Sequence, residues 1–270
     1  MTETYEVVIA RYGMRRTVRS EAYLNYALYH EEDGPIGLDY FVWVVRNAER
    51  TVLVDTGFSI AGGERRKRTM LRHPAEIWAA LGIDAAAGHP VILTHAHFDH
   101  AGNLDQLPAS EVIVAEAELD FWQGPQAHRT LFHHSVEDEE IAHLQRIRDE
   151  GRLTTFRGRH TVAPGIELVE IGGHTPGQAI VIVETSEGPV VLASDAVHFD
   201  EELERGMPFM SVADLVEMYD GFDLLNGMLA DGSAVAVVSG HDPGTLDRFE
   251  PLGEPLPGEA AIIGRIGAAS

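Results

Sequence analysis

A short run of histidine and aspartate side chains is the strongest chemical signal in the sequence. His95, His97, Asp99 and His100 lie close together and directly follow the apolar residues 91–93. The composition predicts roughly 0.002 chance matches to this His-x-His-x-Asp-His motif in a chain of this length. Imidazole and carboxylate together suit zinc, manganese or iron. Because side chains alternate along an extended segment, His95 and His97 can point to the same side. The 95–100 motif therefore predicts a metal site.

Three further polar residues could supply the ligands that this motif lacks. His174 lies in a glycine-rich turn, and Asp195 and His241 each directly follow a β-branched apolar run. Taken alone, each would more often be a loop residue that caps or hydrogen-bonds. All three follow predicted strands, however, and a sheet presents the residues at its strand ends along one edge. Together with the 95–100 motif they are metal-ligand candidates.

Short β-rich runs that alternate with helical patterns must position these side chains. We expect helices from Pro74, from Ser211 as an N-cap and over residues 135–150. No linker composition marks a boundary, so we expect one domain over residues 1–270, with a helical insert around 116–150. Strands are predicted over residues 5–10, 40–46, 51–54, 90–93, 111–115, 166–171, 179–184, 189–193 and 234–239.

The composition excludes several classes of function. The 270 residues include 20 Lys and Arg against 43 Asp and Glu, a net charge of −23, which disfavours a nucleic-acid partner. The absence of cysteine excludes thiolate metal sites and cysteine nucleophiles, whereas 14 histidines is a high number. The N-terminus is acidic and no apolar run has the length of a membrane span, so we expect a cytoplasmic protein with no membrane partner.

Between residues 52 and 243 the sequence resembles the metallo-β-lactamase superfamily. Asp55-Thr56-Gly57 is similar to the superfamily's early Asp-x-Gly turn, which supports the metal site from outside the ligand set. The resemblance implies an α/β fold, an αββα four-layer sandwich of two mixed β-sheets flanked by helices. It also implies two divalent metal ions, with zinc expected. His95, His97 and His174 would hold one ion, Asp99, His100 and His241 the other, and Asp195 would bridge them.

The order of the motifs resembles the N-acyl-homoserine lactonase branch, whose enzymes quench quorum sensing. Leu81-Gly82-Ile83-Asp84 and the Ser239-Gly240-His241-Asp242 segment are similar to that branch. The resemblance implies a metallohydrolase that opens a lactone or related carboxylic ester by attack of a metal-bridging hydroxide. Asp99 would be the catalytic proton shuttle. The substrate would be a small molecule; the oligomeric state stays open, with a homodimer as one option.

One position departs from that branch. Many of its members have a tyrosine three residues after the bridging aspartate, and His198 occupies that position here. His198 could act as a catalytic residue that stabilises an oxyanion, or it could be a structural histidine; both interpretations stay open. The departure affects the homoserine-lactone substrate more than the hydrolytic chemistry.

Two alternative functions share the same fold. A glyoxalase II-like thioesterase would carry a C-terminal helical substrate domain, for which we expect the 29 residues after His241 to be too few. An iron-dependent oxidoreductase is the second alternative. A mononuclear persulfide oxygenase would not need all seven ligands, and a flavodiiron protein would need a flavin domain.

Apolar and basic residues near the motifs are weaker candidates for substrate contacts. The basic residues 65–68, with Arg72, could orient a substrate carboxylate bidentately, although such a run is more often a solvated loop. Nine apolar residues could line a substrate pocket, although each would more often be ordinary core: Phe58, Ile60, Phe121, Trp122, Phe132, Phe199, Met207, Phe209 and Met210.

Overall fold

Strands and short helices alternate along the chain. The computed structural model describes residues 3–267. The strands are β1 (Glu6–Val18), β2 (Pro35–Arg46), β3 (Thr51–Val54), β4 (Thr69–Met70), β5 (Val91–Ile92), β6 (Val112–Ala115), β7 (Leu153–Phe156), β8 (Arg159–Ala163), β9 (Ile166–Glu170), β10 (Ala179–Thr185), β11 (Gly188–Ser194), β12 (Ala236–Ser239), β13 (Glu250–Pro251) and β14 (Ala260–Gly264). The helices are α1 (Ile60–Arg65), α2 (Pro74–Ala80), α3 (Phe98–Ala101), α4 (Glu116–Trp122), α5 (Thr130–His133), α6 (Asp138–Asp149), α7 (Asp200–Arg205) and α8 (Leu215–Asp231).

Over the described residues these strands form two mixed sheets. The larger has nine strands in the order β13-β14-β1-β2-β3-β5-β6-β7, with β4 paired to β1. The smaller has five, in the order β12-β11-β10-β9-β8. Pairing is parallel among β3, β5, β6 and β7 and between β11 and β12, and antiparallel elsewhere. The carboxyl ends of parallel neighbours meet at one sheet edge, so β3 and β5, and likewise β11 and β12, deliver their following loops side by side.

Apolar side chains fill three layers between and outside the sheets. Trp43 and Val54 of the larger sheet pack against Val181 and Leu192 of the smaller sheet in the central layer. Helices α2 and α6 cover the outer face of the larger sheet, and α8 covers the outer face of the smaller one. The arrangement is the four-layer αββα sandwich, which confirms the predicted fold class.

The predicted element bounds differ from the observed ones at specific points. The N-cap assigned to Ser211 is wrong: α8 begins at Leu215, and its N-cap Asp214 accepts hydrogen bonds from the amides of Val216 and Glu217. The helix expected over 135–150 spans Asp138–Asp149. Pro74 does begin α2. Within the described part of the chain, no helix combines the length and the apolar character needed to cross a bilayer.

Candidate metal centre

The predicted ligands come together because four strand ends meet between the two sheets. His95 and His97 follow β5, and Asp99 and His100 lie in α3, which begins directly after His97. His174 follows β9, Asp195 follows β11 and His241 follows β12. All seven residues are buried. Their candidate ligand atoms form two groups, each with atoms within 4.8 Å of one another: His95, His97, His174 and Asp195, and Asp99, His100 and His241.

Asp195 lies between the two groups, with one carboxylate oxygen toward each. Its Oδ2 is 3.8 Å from His95 Nε2 and 3.4 Å from His174 Nε2. Its Oδ1 is 3.2 Å from His100 Nε2 and 3.0 Å from His241 Nε2. One carboxylate is therefore placed so that it could supply a ligand atom to each group.

Three of the imidazoles are held by hydrogen bonds to the ring nitrogen that faces away from the centre. His100 Nδ1 donates to Asp55 Oδ2 at 2.7 Å. His174 Nδ1 donates to the carbonyl of Ser211 at 2.8 Å, and His241 Nδ1 to the carbonyl of Asp39 at 2.7 Å. In a neutral ring each bond puts the proton on Nδ1 and leaves Nε2 with a lone pair aimed at the centre, as in protein metal sites.

The centre keeps most of its imidazoles neutral, which metal binding requires. Burial, with a smaller effect of neighbouring imidazoles, holds the pKa of both His95 and His97 well below the usual range. Burial also lowers the pKa of His174 to about 3. Burial opposes protonation of His100 too, but Asp195 and the other nearby carboxylates outweigh it and raise its pKa well above the usual range.

The donor set fits divalent cations. His95 Nε2, His100 Nε2 and Asp195 Oδ1 are buried without a hydrogen-bond partner, which is costly unless something else satisfies them. Five imidazoles and two carboxylates are the nitrogen and oxygen ligands that zinc and neighbouring transition metals take. The residues present therefore fit two adjacent cation sites.

Asp55 occupies a strained turn behind the ligands. It follows β3 with a φ of 57°, a conformation that aspartate adopts more readily than most residues. Its Oδ1 accepts hydrogen bonds from the amide and hydroxyl of Thr94, while its Oδ2 accepts from His100. The turn thus joins β3 to the 95–100 motif, in the supporting position that the Asp-x-Gly resemblance implied.

Glu118 of α4 is a buried supporting residue that sequence reasoning missed. Its Oε1 accepts hydrogen bonds from the amide of Ala96 and the indole of Trp122. Its Oε2 accepts from the hydroxyl of Thr175 and the amide of Gly177. One carboxylate therefore ties the loop of His95 and His97 to the loop of His174. The only sequence signal was an acidic residue on the apolar face of a short helix.

His198 lies against the centre rather than in the distant core. Its Nε2 is 3.1 Å from Asp195 Oδ2, and its ring stacks on Phe209 at 3.8 Å between centroids. Burial lowers the pKa of His198, but Asp195 and Glu202 outweigh it and raise the pKa to about 9. Neither ring nitrogen has an aligned hydrogen-bond partner. Its Nε2 also lies close enough to Asp195 and His241 to form a third candidate ligand group.

A cavity of about 710 Å³ opens directly onto the two groups. Its wall contains Asp99, Asp195, His198 and Tyr40, the last of which packs against His241 at 5.0 Å between ring centroids. Tyr40 was not singled out from the sequence. Of the apolar candidates, the cavity is lined by Phe121, Trp122, Phe132, Phe209 and Met210. Phe58, Phe199 and Met207 are instead core residues, and Ile60 is exposed on α1.

Some of the basic candidates line the cavity and others do not. Arg65 and Arg66 pair with Glu137, and Arg72 pairs with Glu259, so the charges of these three are offset within the protein, although Arg66 also lines the cavity. Arg68 is part of the cavity wall.

Comparison with known proteins places the chain in a family. The profile of the metallo-beta-lactamase superfamily matches residues 36–241. An N-acyl homoserine lactonase of a Bacillus species is 29% identical over 189 residues, which are 64% of this chain and 70% of that protein. N-acyl homoserine lactonase AttM of Azorhizobium caulinodans is 27% identical over 184 residues, 63% and 64% of the two chains.

Solved structures show the same fold. A quorum-quenching N-acyl homoserine lactone lactonase superposes with a TM-score of 0.73 at 22% identity, over 90% of this chain and 94% of that one. The dizinc quorum-quenching lactonase AidC, in complex with a product, gives 0.68 at 19% identity, over 100% and 97%. The matched profile covers most of the chain and includes every candidate ligand. The chain belongs to the metallo-beta-lactamase superfamily.

Proposed function

We propose that the protein is a dinuclear metal-dependent hydrolase that opens a lactone or a closely related carboxylic ester. The observation that carries the proposal is Asp195, with one oxygen toward each of two complete ligand groups. The lactonase relatives support the substrate class, and the matched family profile spans both ligand groups. We further propose zinc as the metal, a small-molecule substrate and a cytoplasmic location.

The two sides of the cavity would have different roles in the proposed reaction. His95, His97 and His174 would hold one cation, Asp99, His100 and His241 the other, and Asp195 would contact both. Divalent cations so held lower the pKa of water toward neutrality and polarise a carbonyl oxygen. The apolar wall, with Trp122, Phe132 and Phe209, excludes bulk water and receives the rest of the substrate.

Two side chains are placed to handle protons and developing charge. Asp99 lies in the cavity wall, with its Oδ2 3.8 Å from His241 Nε2, and is the candidate to carry a proton to the leaving alkoxide. His198 faces the same cavity with ring nitrogens that have no aligned partner, so it is available to donate a hydrogen bond to the carbonyl oxygen. It would thereby take the place of the tyrosine found in many lactonases.

A hydrolysis screen with a pH indicator tests the proposal. The zinc-loaded protein is offered homoserine lactones of several chain lengths, aromatic lactones, simple esters and thioesters. We expect lactones to be opened fastest, and Asp195→Ala to lose about 100-fold or more in rate because both cation groups lose a ligand. Asp223→Ala, which removes an exposed carboxylate from α8, is the matched control and should keep full activity.

Other results would contradict the proposal in distinct ways. A preference for thioesters would favour the glyoxalase II-like alternative. Redox-active iron in the purified protein, together with no turnover of any lactone, would favour the oxidoreductase. Full activity of Asp195→Ala would remove the role given to that residue.

A further inference from the structure

Two arginine side chains in the cavity wall have no strong partner. Arg15 lies on β1 and Arg68 directly precedes β4, and both line the cavity over the metal centre. The antiparallel register pairs Gly13 with Met70 and Met14 with Thr69, so the next step places Arg15 opposite Arg68. The guanidinium groups of β1 and of the residue before β4 therefore lie in one part of the wall.

Neither guanidinium is neutralised by a buried carboxylate. Among the described residues Arg68 forms no ion pair: one of its nitrogens donates to the carbonyl of Arg66, and its buried Nε has no partner. Arg15 pairs at 3.2 Å with Glu21, whose side chain is 61% exposed, and such surface pairs contribute little. Burial and then the charge of Arg68 lower the pKa of Arg15, in agreement with the facing positions that the strand register gives the two residues.

Arg66, the third arginine of the wall, differs from these two. It pairs with Glu137, donates to the carbonyls of His134 and Val136, and stacks over Phe98 at 4.1 Å. Its donors are used within the protein. The unused donors in the wall thus belong to Arg15 and Arg68.

The charge of the wall contrasts with that of the chain. The protein carries a net charge of −23, yet the carboxylates of the described cavity wall are only Asp99 and Asp195, both in the metal centre. Tyr40 lines the same cavity as these two carboxylates and the two arginines. Two neighbouring, partly buried guanidinium groups repel each other, and an oxyanion would offset that repulsion and accept hydrogen bonds with bidentate geometry.

We propose that Arg15 and Arg68 are specificity-determining residues that bind an oxyanion group of the substrate, a carboxylate or a phosphate ester remote from the bond that is cleaved. This inference rests on the proposed function, because it names the class of lactone or ester that the same cavity takes. It predicts an anionic substrate rather than a lactone with a purely apolar tail.

Matched substrates test the proposal. Three lactones share one ring and one side chain and end in a carboxylate, a phosphate ester or the neutral carboxamide. We expect the wild type to prefer one of the anionic lactones over the carboxamide by about tenfold or more in kcat/KM. The anionic lactone that is preferred identifies the oxyanion. Arg68→Gln and Arg15→Gln should each lower that preference by about tenfold, mainly through KM. Arg68→Lys should restore only part of it, because an ammonium group cannot form the bidentate pair of a guanidinium.

Lys67→Gln is the matched control, because it removes the same charge from the same loop at an exposed residue outside the cavity wall. It should leave the preference unchanged. Equal kcat/KM values for the charged and neutral lactones in the wild type would overturn the inference. An equal loss on all three substrates in Arg68→Gln would do so as well.

A binding measurement separates this inference from the proposed function. Calorimetry with a cyclic ether that carries the same carboxylate or phosphate ester requires no turnover. If no lactone is opened but the ether binds to the wild type at least tenfold more tightly than to Arg68→Gln, the arginine site stands and the lactonase proposal fails. If lactones are opened and the ether binds both proteins equally, the arginine site fails alone.

Discussion

Asp55 and His100 form a buried hydrogen-bonded pair, with Asp55 Oδ2 2.7 Å from His100 Nδ1. The pair determines which ring nitrogen of His100 faces Asp195. Because Asp55 also accepts two hydrogen bonds from Thr94, the same carboxylate orients the loop that carries His95 and His97.

Asp55→Asn should therefore weaken metal binding without removing a ligand. The amide would present a donor or a weaker acceptor to His100 Nδ1, and outer hydrogen bonds of this kind contribute about 10- to 100-fold in metal affinity. Competition with a coloured chelator measures the affinity. Asp105→Asn, an exposed carboxylate after α3, is the control and should bind metal like the wild type. An unchanged affinity in Asp55→Asn would show that Asp55 does not orient His100.

Glu118→Gln should destabilise the folded chain by about 2–4 kcal/mol, because its amide nitrogen would face donors that now meet a carboxylate oxygen. The wild-type carboxylate accepts four hydrogen bonds, three from the two ligand loops and one from Trp122 of its own helix. Urea unfolding measures the free energy. Asp120→Asn, exposed on the same helix, should change it by less than about 0.5 kcal/mol. Equal stability of Glu118→Gln and the wild type would contradict the role of Glu118 in holding the two ligand loops together.

His198→Ala should lower kcat about 100-fold while the protein keeps two metal ions, because the side chain contacts the substrate rather than a cation in the proposed mechanism. Metal analysis and kinetics are measured on the same preparation. The exposed His128→Ala is the control. Loss of one metal ion from His198→Ala would instead identify His198 as a ligand, in the group that it forms with Asp195 and His241.

Glu140, which is not a candidate ligand, gives the stability of the chain a pH dependence. Burial, and then Glu137, raise the pKa of Glu140 from 4.5 to about 8. The folded chain keeps this proton at pH values where the unfolded chain releases it, so the free energy of unfolding falls as pH rises from about 4.5 to about 8.

Glu140→Gln removes that titration. At pH 9 the variant should be more stable than the wild type by about 2–4 kcal/mol, and near pH 4.5 the two should be alike. Unfolding in urea at the two pH values measures this. Glu139→Gln, on the exposed side of the same helix, should show no such pH-dependent gain.

The sequence was most informative where a residue's role follows from its position after a strand. The 95–100 motif, His174, Asp195 and His241 all follow apolar β-branched runs, and the structure brings them together. Sequence reasoning failed where a contact depends on pairing between distant segments. Glu118 contacts Thr175, which lies 57 residues away, and Arg15 meets Arg68 only because β4 pairs with β1.

The misplaced start of α8 has a similar cause. Ser211 and Asp214 are equally suitable N-caps in a sequence. The carbonyl of Ser211 instead accepts a hydrogen bond from His174, and the amides of Ala213 and Asp214 donate to the carbonyl of Gly173. These tertiary bonds hold the segment in an extended loop until Leu215, so the loop of His174 decides where the helix begins.

The rate of lactone opening as a function of added zinc is the most direct test of a two-metal hydrolase. Metal-free protein is titrated with zinc, and proton release from the preferred lactone is followed at each step. For a two-metal hydrolase we expect a rate that rises until two equivalents per chain are present and then stays constant, with the same titration giving no activity in Asp195→Ala. A plateau at one equivalent, or lactone opening that does not depend on zinc or another divalent metal, would contradict it.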